Sequence, residues 1–246
     1  MVVQDLSSEK FKFEEWSKGQ MIELFESAGW EHPWELCYDL KAGDTYVEAG
    51  AFWGRYGKMV SNRVGSSGRV ILIEPDPQSC KVIETIVEHY GLDNVTIIQK
   101  AVGNFKGTVP YVVFGNPAGH KIADPSHIVH PVYSEYITEV EIDMLDNILK
   151  DLEVDRVDLL SCDVEGSEMD LVLGAKHYFS NHLIKHLALG AYHADHLPQG
   201  ETFPDRIIPV LTEMGYVDLH YRMGIIFGHI PSEGIYDRER HHYTNK

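Results

Sequence analysis

The sequence YVEAGAFWGRYG, residues 46–57, decides the fold of this chain. Its first residues are apolar around one acid, Glu48, and predict a buried strand. Glycines at positions 50 and 54 then predict a turn into a helix. In an open α/β sheet this arrangement brings a carboxylate and backbone N–H groups to the carboxyl end of a strand, where ligands bind.

A second acid, Glu74, follows the next apolar run, residues 70–73, and lies 20 residues after Gly54. This is about the distance at which a Rossmann-type sheet offers a carboxylate to a ribose diol. Because Glu48 would repel a pyrophosphate, two acids around a glycine turn favour a nucleoside without one.

From residue 45 onward, strand patterns alternate with helix patterns, which predicts an α/β fold with a mostly parallel sheet and helices on both faces. Only residues 222–224 separate the last two strands, so they form a hairpin and one terminal strand is antiparallel. The predicted strands are 45–49, 69–73, 95–99, 157–162, 185–190, 216–221 and 225–229, and the predicted helices are 54–64, 77–90, 143–151, 167–176 and 201–214. The sequence therefore predicts a Rossmann-like sheet of seven strands.

The remaining segments surround this core. Residues 1–42 form a predicted helical extension, with helices at 7–28 and 32–40 that either cap the sheet or serve as a lid or dimer contact. The main domain spans 43–232, and 233–246 is a polar tail. Residues 107–141 are rich in glycine, proline and histidine and predict an insertion loop, which either covers the active site or is a surface insertion.

Composition limits the class of protein. The 246 residues suffice for one full α/β domain. A formal net charge of −17 without a basic cluster argues against nucleic-acid and membrane-surface partners. Three scattered cysteines argue against a disulfide framework and a zinc site. The sequence shows neither a secretory signal nor a transmembrane segment, so we expect a cytoplasmic protein.

A third acidic motif, DVEGSE at residues 163–168, follows the apolar strand predicted at 157–162. Asp163 and Glu165 would lie at the mouth of the ligand crevice, and Ser167 or Glu168 can satisfy N–H groups at the next helix start. Acids at a helix N-terminus are common, but three acids around one glycine at a strand end favour a functional role.

Together these motifs resemble the FkbM family of class I S-adenosylmethionine-dependent methyltransferases. The residues that carry the resemblance, in order, are Glu48-x-Gly50-x-x-x-Gly54, Ile73-Glu74-Pro75, Lys100-Ala101-Val102-Gly103 and the FkbM-like hallmark at 163–168. The resemblance covers residues 45–175. The chain departs from the commonest glycine-rich turn at Phe52.

The resemblance implies S-adenosylmethionine (SAM) as cofactor and assigns a role to each matched residue. Glu48 would anchor the methionine end, while Gly50 and Gly54 let the backbone approach. Glu74 would accept hydrogen bonds from both ribose hydroxyls. Ala101 would face the adenine.

Methyl transfer depends mainly on alignment of the reacting groups, which can supply ~7–11 kcal/mol of the barrier. An alcohol acceptor must also lose a proton, and a positioned base adds about 10²–10⁴-fold. Asp163, Glu165 and His193 are the candidate catalytic residues, and Asp163 also belongs to the predicted cofactor-binding set. The same three residues could instead bind a divalent metal, but we predict no metal site.

The sequence thus predicts a SAM-dependent methyltransferase that acts on a hydroxyl of a small molecule, sugar or natural product, and that forms a possible homo-oligomer. N-methylation of a small amine is a close variant. One alternative is an NAD(P)-dependent oxidoreductase, although a Gly-x-Gly-x-x-Gly spacing is absent. Another is a catalytically silent nucleoside-binding module.

Overall fold

A computed structural model describes residues 16–27, 34–113, 119–123, 137–191 and 201–231. The strands in these ranges are β1 (Thr45–Ala49), β2 (Arg69–Ile73), β3 (Val95–Ile98), β4 (Ala101–Gly103), β5 (Gly107–Val112), β6 (Lys121–Ile122), β7 (Ile137–Met144), β8 (Val157–Cys162), β9 (Ile184–Gly190), β10 (Val217–Arg222) and β11 (Ile225–His229). The helices are α1 (Lys18–Ser27), α2 (Arg55–Val64), α3 (Pro77–Tyr90), α4 (Leu145–Asp151), α5 (Glu168–Gly174), α6 (Lys176–Ser180) and α7 (Phe203–Glu213).

Seven strands form the main sheet in the order β10-β11-β9-β8-β1-β2-β3. Every neighbouring pair is parallel except those of β11, which runs antiparallel to both β9 and β10. The structure therefore confirms a mostly parallel, seven-stranded sheet with an antiparallel strand in its terminal hairpin. Strands β1 and β8 are adjacent at the centre of the sheet, so the glycine turn after β1 and the acidic motif after β8 emerge side by side.

A second, smaller sheet has the order β4-β7-β5-β6 and corrects the prediction of an insertion loop at 107–141. Strands β5 and β6 and most of β7 lie inside that segment, whose residues 114–118 and 124–136 are outside the described ranges. The sheet forms because alternate residues of β5 and β7 are apolar and pack together with β4. This buried cluster consists of Ala101, Val109, Tyr111, Val140 and Ile142.

The N-terminal extension is less helical than predicted in the part that is described. Helix α1 packs against α3, with Met21 and Phe25 buried beside Trp53. Of the helix predicted at 32–40, the described residues 34–40 form only a 3₁₀ turn, Trp34–Leu36. The chain after it is irregular because Asp44 accepts hydrogen bonds from the Tyr38 hydroxyl and the Lys41 backbone, both at 2.8 Å.

Other boundaries shift by a few residues. Strand β7 continues to Met144, so α4 begins later than the helix predicted at 143–151. The helix predicted at 167–176 divides at Ala175 into α5 and α6. Within the described ranges, no helix is long and apolar enough to cross a membrane. The division of the chain at residues 42 and 232 stays a prediction.

Candidate cofactor and active site

An open cavity lies where the carboxyl ends of β1, β2 and β8 meet the small sheet. Its volume is about 730 Å³, including the part that is open to solvent. The main sheet and its loops contribute Gly50, Phe52, Glu74, Asp163 and Glu165. The small sheet and the residues next to it contribute Lys100, Ala101, Tyr111, His120, Lys121 and Ile122. A ligand in this cavity would therefore lie between the two sheets.

Five of the residues singled out from the sequence line this one cavity: Gly50, Glu74, Ala101, Asp163 and Glu165. Glu48 and Gly54 are close to it in the chain but are not among its lining residues. His193 lies outside the described residues. The structure thus brings together most of the predicted site, and it gives Glu48 and Gly54 positions behind the cavity wall.

Gly50 lies where the loop after β1 passes the loop after β8. It has a φ of +81°, and a Cβ atom there would be 1.9 Å from the carbonyl oxygen of Asp163. Real Cβ contacts are never so short, so only glycine lets these two loops pack. The Asp163 backbone N–H donates to the carbonyl of Ala49 at 2.9 Å, which fixes the junction from the other side.

Gly54 has a packing role rather than a cavity-facing one. It precedes the first residue of α2 with a φ of +71°. A Cβ atom there would lie 3.1 Å from Leu72 and 3.2 Å from Ile83. The residue therefore holds α2 close to β2 and α3.

Phe52 takes the left-handed backbone conformation at its position in the turn, with a φ of +52°. Its backbone N–H donates to Glu74 Oε2 at 2.8 Å. Its ring stacks on Trp53 at a centroid distance of 4.3 Å. The departure from a glycine-rich turn is accommodated because the ring packs against the cluster under α1.

The carboxylate of Glu74 is buried and held in place by the backbone. Oε2 accepts from Phe52, and Oε1 accepts from the N–H of Asp76 at 2.9 Å. Burial raises the pKa of Glu74 to about 8, although both backbone hydrogen bonds act in the opposite direction. Among the described residues no lysine, arginine or histidine forms an ion pair with it.

Glu48 is also a buried acid, near the carboxyl end of β1. Burial raises its pKa to about 8, while hydrogen bonding from Trp34, Tyr46 and the Gly57 backbone lowers it and the nearby charge of Asp163 raises it again. Its Oε2 atom makes no hydrogen bond of standard geometry with the described residues. A buried carboxyl in this position favours the neutral form until a cation comes near.

The motif after β8 shapes a tight turn at the cavity mouth. Glu165 has a φ of +55° and Gly166 a φ of +106°. The fully buried Glu168 accepts from the N–H groups of Val164 and Gly166 at 3.2 and 3.3 Å, in the turn before the helix, whereas the Ser167 side chain makes no capping hydrogen bond. This leaves Asp163 and Glu165 on the lining of the cavity.

Tyr111 and His120 line the cavity and were not predicted as site residues. The Tyr111 ring meets the His120 ring edge-on at 6.1 Å. His120 Nδ1 lies 3.5 Å from Oδ2 of Asp76. The sequence signal for this strand is the apolar alternation of Val109 and Tyr111, but the glycines and prolines around these residues interrupt the pattern. The hypothesis that the 107–141 segment covers the active site is supported by this position.

No group of three or more histidine, cysteine, aspartate or glutamate side chains is arranged to hold a metal ion within the described residues.

The sequence pattern of the methyltransferase FkbM domain matches residues 42–217. The chain belongs to the FkbM methyltransferase family. This confirms the family predicted from the sequence, and with it a SAM-dependent methyltransferase. Comparison of this FkbM methyltransferase with curated proteins finds no match.

Solved structures similar to this FkbM methyltransferase include a SAM-dependent O-methyltransferase from Thermotoga maritima, with 14% identity and a TM-score of 0.47 over 87% of this chain and 71% of that one. A SAM-dependent methyltransferase from Aquifex aeolicus has 14% identity and a TM-score of 0.43, covering 88% of this chain and 100% of that one. Aeropyrum pernix fibrillarin, solved with natively bound SAM, has 15% identity and a TM-score of 0.45, covering 76% of this chain and 67% of that one.

The buried carboxyl of Glu48 generates a prediction about stability and pH. Its pKa is about 8 in the folded protein and has the ordinary value of 4.5 in the unfolded chain. Between these pH values the folded protein holds the extra proton, so the free energy of unfolding falls as the pH rises. We expect the free energy of unfolding of Glu48→Gln to fall less steeply with pH than that of the wild type, by about 1 kcal/mol per pH unit.

Urea unfolding of the wild type and of Glu48→Gln at pH 5, 6, 7 and 8 measures the difference in slope. The exposed substitution Glu213→Gln is the matched control and should leave the slope as in the wild type. Parallel pH profiles for the wild type and Glu48→Gln would contradict the assignment of a neutral buried acid.

Proposed function

We propose that this FkbM methyltransferase transfers the methyl group of SAM to a hydroxyl group of a small molecule, such as a sugar or a natural product. The observation that carries the proposal is the convergence of Gly50, Glu74, Ala101, Asp163 and Glu165 on one cavity at the carboxyl ends of parallel strands. Family membership supplies the reaction class. It favours a methyltransferase over the oxidoreductase alternative.

The cavity residues fit a cationic nucleoside. Glu74 is a buried carboxylate, fixed by two backbone N–H groups, with no cationic partner among the described residues. Hydrogen bonds from a ribose diol would favour its ionised form, because bonds to an ionised acceptor are about twice as strong as neutral ones. SAM would supply a methyl group activated by its sulfonium, and Asp163 would stabilise that positive charge.

Each matched residue keeps a defined role in this proposal. Glu74 binds the ribose, and Ala101 lies against the adenine. Asp163 faces the methionine end. Glu48 attracts the same methionine end, because an approaching cation favours the ionised form of its carboxyl. Gly50 builds the junction that holds these groups together.

Glu165 is assigned as the base that accepts the proton of the acceptor hydroxyl. Asp163 is closely confined by two glycines. Its backbone carbonyl packs onto Gly50, and its Oδ1 atom lies 3.4 Å from the position that a Cβ on Gly190 would take. Glu165 stands on a left-handed turn and lines the cavity, and we place the acceptor on its side. His193 stays a further candidate base.

A small-molecule acceptor is favoured over nucleic acid by charge. The chain carries a formal net charge of −17, and acids line the cavity. Lys100, which also lines it, is committed to Asp143 at 3.1 Å. A phosphate backbone would be repelled by such a surface.

Two wider expectations stay part of the proposal. All three cysteines are free thiols, and Cys80 and Cys162 are buried, which is consistent with a reducing cytoplasm. A homo-oligomer stays possible, with the N-terminal extension as a candidate contact.

The cofactor assignment is tested by titrating the protein with SAM and with NADPH in a calorimeter. The wild type should bind SAM saturably and NADPH not at all. Glu74→Ala should weaken SAM binding about 10- to 100-fold, because the hydrogen bonds to both ribose hydroxyls are lost, each worth about 0.5–1.5 kcal/mol net. Glu213→Gln, an exposed glutamate on α7, should bind SAM like the wild type. Absence of SAM binding, or a preference for the dinucleotide, would overturn the proposed function.

The acceptor class and the base are tested with a panel of sugars, phenols and aliphatic alcohols, alongside small amines and a structured RNA, by following release of S-adenosylhomocysteine. We expect turnover with a hydroxylated small molecule. Glu165→Gln should lower kcat about 10²–10⁴-fold while the Kd for SAM stays unchanged. Turnover with amines alone would contradict O-methylation, and turnover with RNA alone would contradict a small-molecule acceptor. Unchanged kcat in Glu165→Gln would remove that residue as the base.

A further inference from the structure

The small sheet contributes a tyrosine to the cavity wall for which the proposed function has no role. Tyr111 is only 3% exposed and yet lines the cavity. Its hydroxyl makes no hydrogen bond with any described residue, whereas the buried hydroxyls of Tyr46 and Tyr178 each have a partner at 2.5 Å. The hydroxyl oxygen is not among the fully buried polar atoms that lack a partner, so it is open to the cavity, where a ligand or water can meet it.

The position of Tyr111 identifies which part of a ligand it would meet. Its side chain packs in the same apolar cluster as Ala101, the residue assigned to the adenine. The acids whose charges act on it most are Glu74, assigned to the ribose, and the neighbouring Asp76, followed by Glu165 across the cavity. Tyr111 therefore stands at the nucleoside end of the cavity.

The phenol is a hydrogen-bond donor under all ordinary conditions. Burial first, and then the negative charges of Glu74, Asp76 and Glu165, raise the pKa of Tyr111 well above its usual value. The nucleoside half of SAM offers several acceptors, including the ring nitrogens of adenine and the oxygens of the ribose. Donor and acceptors are thus complementary.

His120 links this tyrosine to the ribose side of the main sheet. It is buried, its ring meets Tyr111 edge-on, and its Nδ1 lies 3.5 Å from Asp76 Oδ2. Asp76 is itself fixed at the start of α3, where it accepts from the backbone N–H groups of Gln78 and Ser79. Burial raises the pKa of Asp76, but His120 and these hydrogen bonds outweigh burial and hold the pKa below its ordinary value.

We infer that Tyr111 is a cofactor-contacting residue whose hydroxyl donates a hydrogen bond to the nucleoside of SAM, and that His120, seated against Asp76, positions it. The inference rests on the proposed function, because it takes SAM as the ligand. It adds a contact from the small sheet, on the wall opposite the glycine turn. The small sheet, which already places Ala101 against the adenine, would thereby also donate a hydrogen bond to the cofactor.

The contact is tested with Tyr111→Phe, which keeps the ring and its packing and removes only the hydroxyl. We expect the Kd for SAM to rise about 3- to 10-fold, the effect of one neutral hydrogen bond. The Kd for 5′-methylthioadenosine, which has the nucleoside but no methionine end, should rise by the same factor. Tm without ligand should be unchanged. Tyr221→Phe, at a half-exposed tyrosine of β10, is the matched control and should change neither affinity.

These measurements separate the inference from the proposed function. If the wild type binds SAM and Tyr111→Phe binds both ligands as tightly, the contact is overturned while the proposed function stands. If Tyr111→Phe weakens SAM but not 5′-methylthioadenosine, the nucleoside assignment is overturned. If the wild type binds no SAM, the proposed function fails and the inference fails with it.

The positioning role of His120 is tested with a double-mutant cycle. His120→Ala should raise the Kd for SAM in the wild-type background and add little in the Tyr111→Phe background, because its effect passes through the Tyr111 hydroxyl. His120→Gln, which keeps a donor facing Asp76, should restore part of the affinity. Equal losses in both backgrounds would assign His120 a purely structural role and overturn this part of the inference.

Discussion

The site depends on one close contact between two loops. The loop after β1 passes beneath the loop after β8 with no room for a side chain, since a Cβ on Gly50 would lie 1.9 Å from the carbonyl oxygen of Asp163. Parallel pairing of β1 with β8 brings the loops side by side, and the glycine lets them touch. This contact fixes Asp163 and Glu165 on the same cavity as Glu74. Without this contact, Glu74 and the acids of the motif after β8 would not line the same cavity.

Two acids near this junction are buried without an ion pair to any lysine, arginine or histidine that the structure describes. Glu48 and Glu74 each lose hydration, and burial raises the pKa of both to about 8. The ionised forms of these two acids become more favourable when a cationic ligand enters, which links the electrostatics of the free protein to the charge of the cofactor.

Much of the main sheet and the site could be predicted from the sequence because the signals are local. An apolar strand, an acid and a glycine turn occupy a few consecutive residues at Glu48, Glu74 and Asp163, and parallel topology brings such strand ends to one edge. The limits of local reasoning appear at Gly54, which packs closely against Leu72 and Ile83 and is not among the residues that line the cavity. Its predicted role in cofactor binding stays a prediction.

The small sheet could not be predicted because its signals are not local. Strand β5 pairs with β6 and with β7, and β7 lies about 30 residues further along the chain. Glycine and proline interrupt the alternating pattern, so the segment looked like a loop. The approach of Tyr111 to His120 follows from the pairing of Tyr111 with Ile122, two residues after His120. Sequence spacing alone does not reveal such a contact.

The account's central claim is that the junction of the β1 and β8 loops builds a cavity for SAM. A crystal structure of the protein with SAM tests it most directly. The account predicts the ribose hydroxyls on the carboxylate of Glu74, the adenine beside Ala101, and the methyl group facing Glu165. A ligand bound elsewhere, or one in this cavity with its ribose away from Glu74, would contradict it.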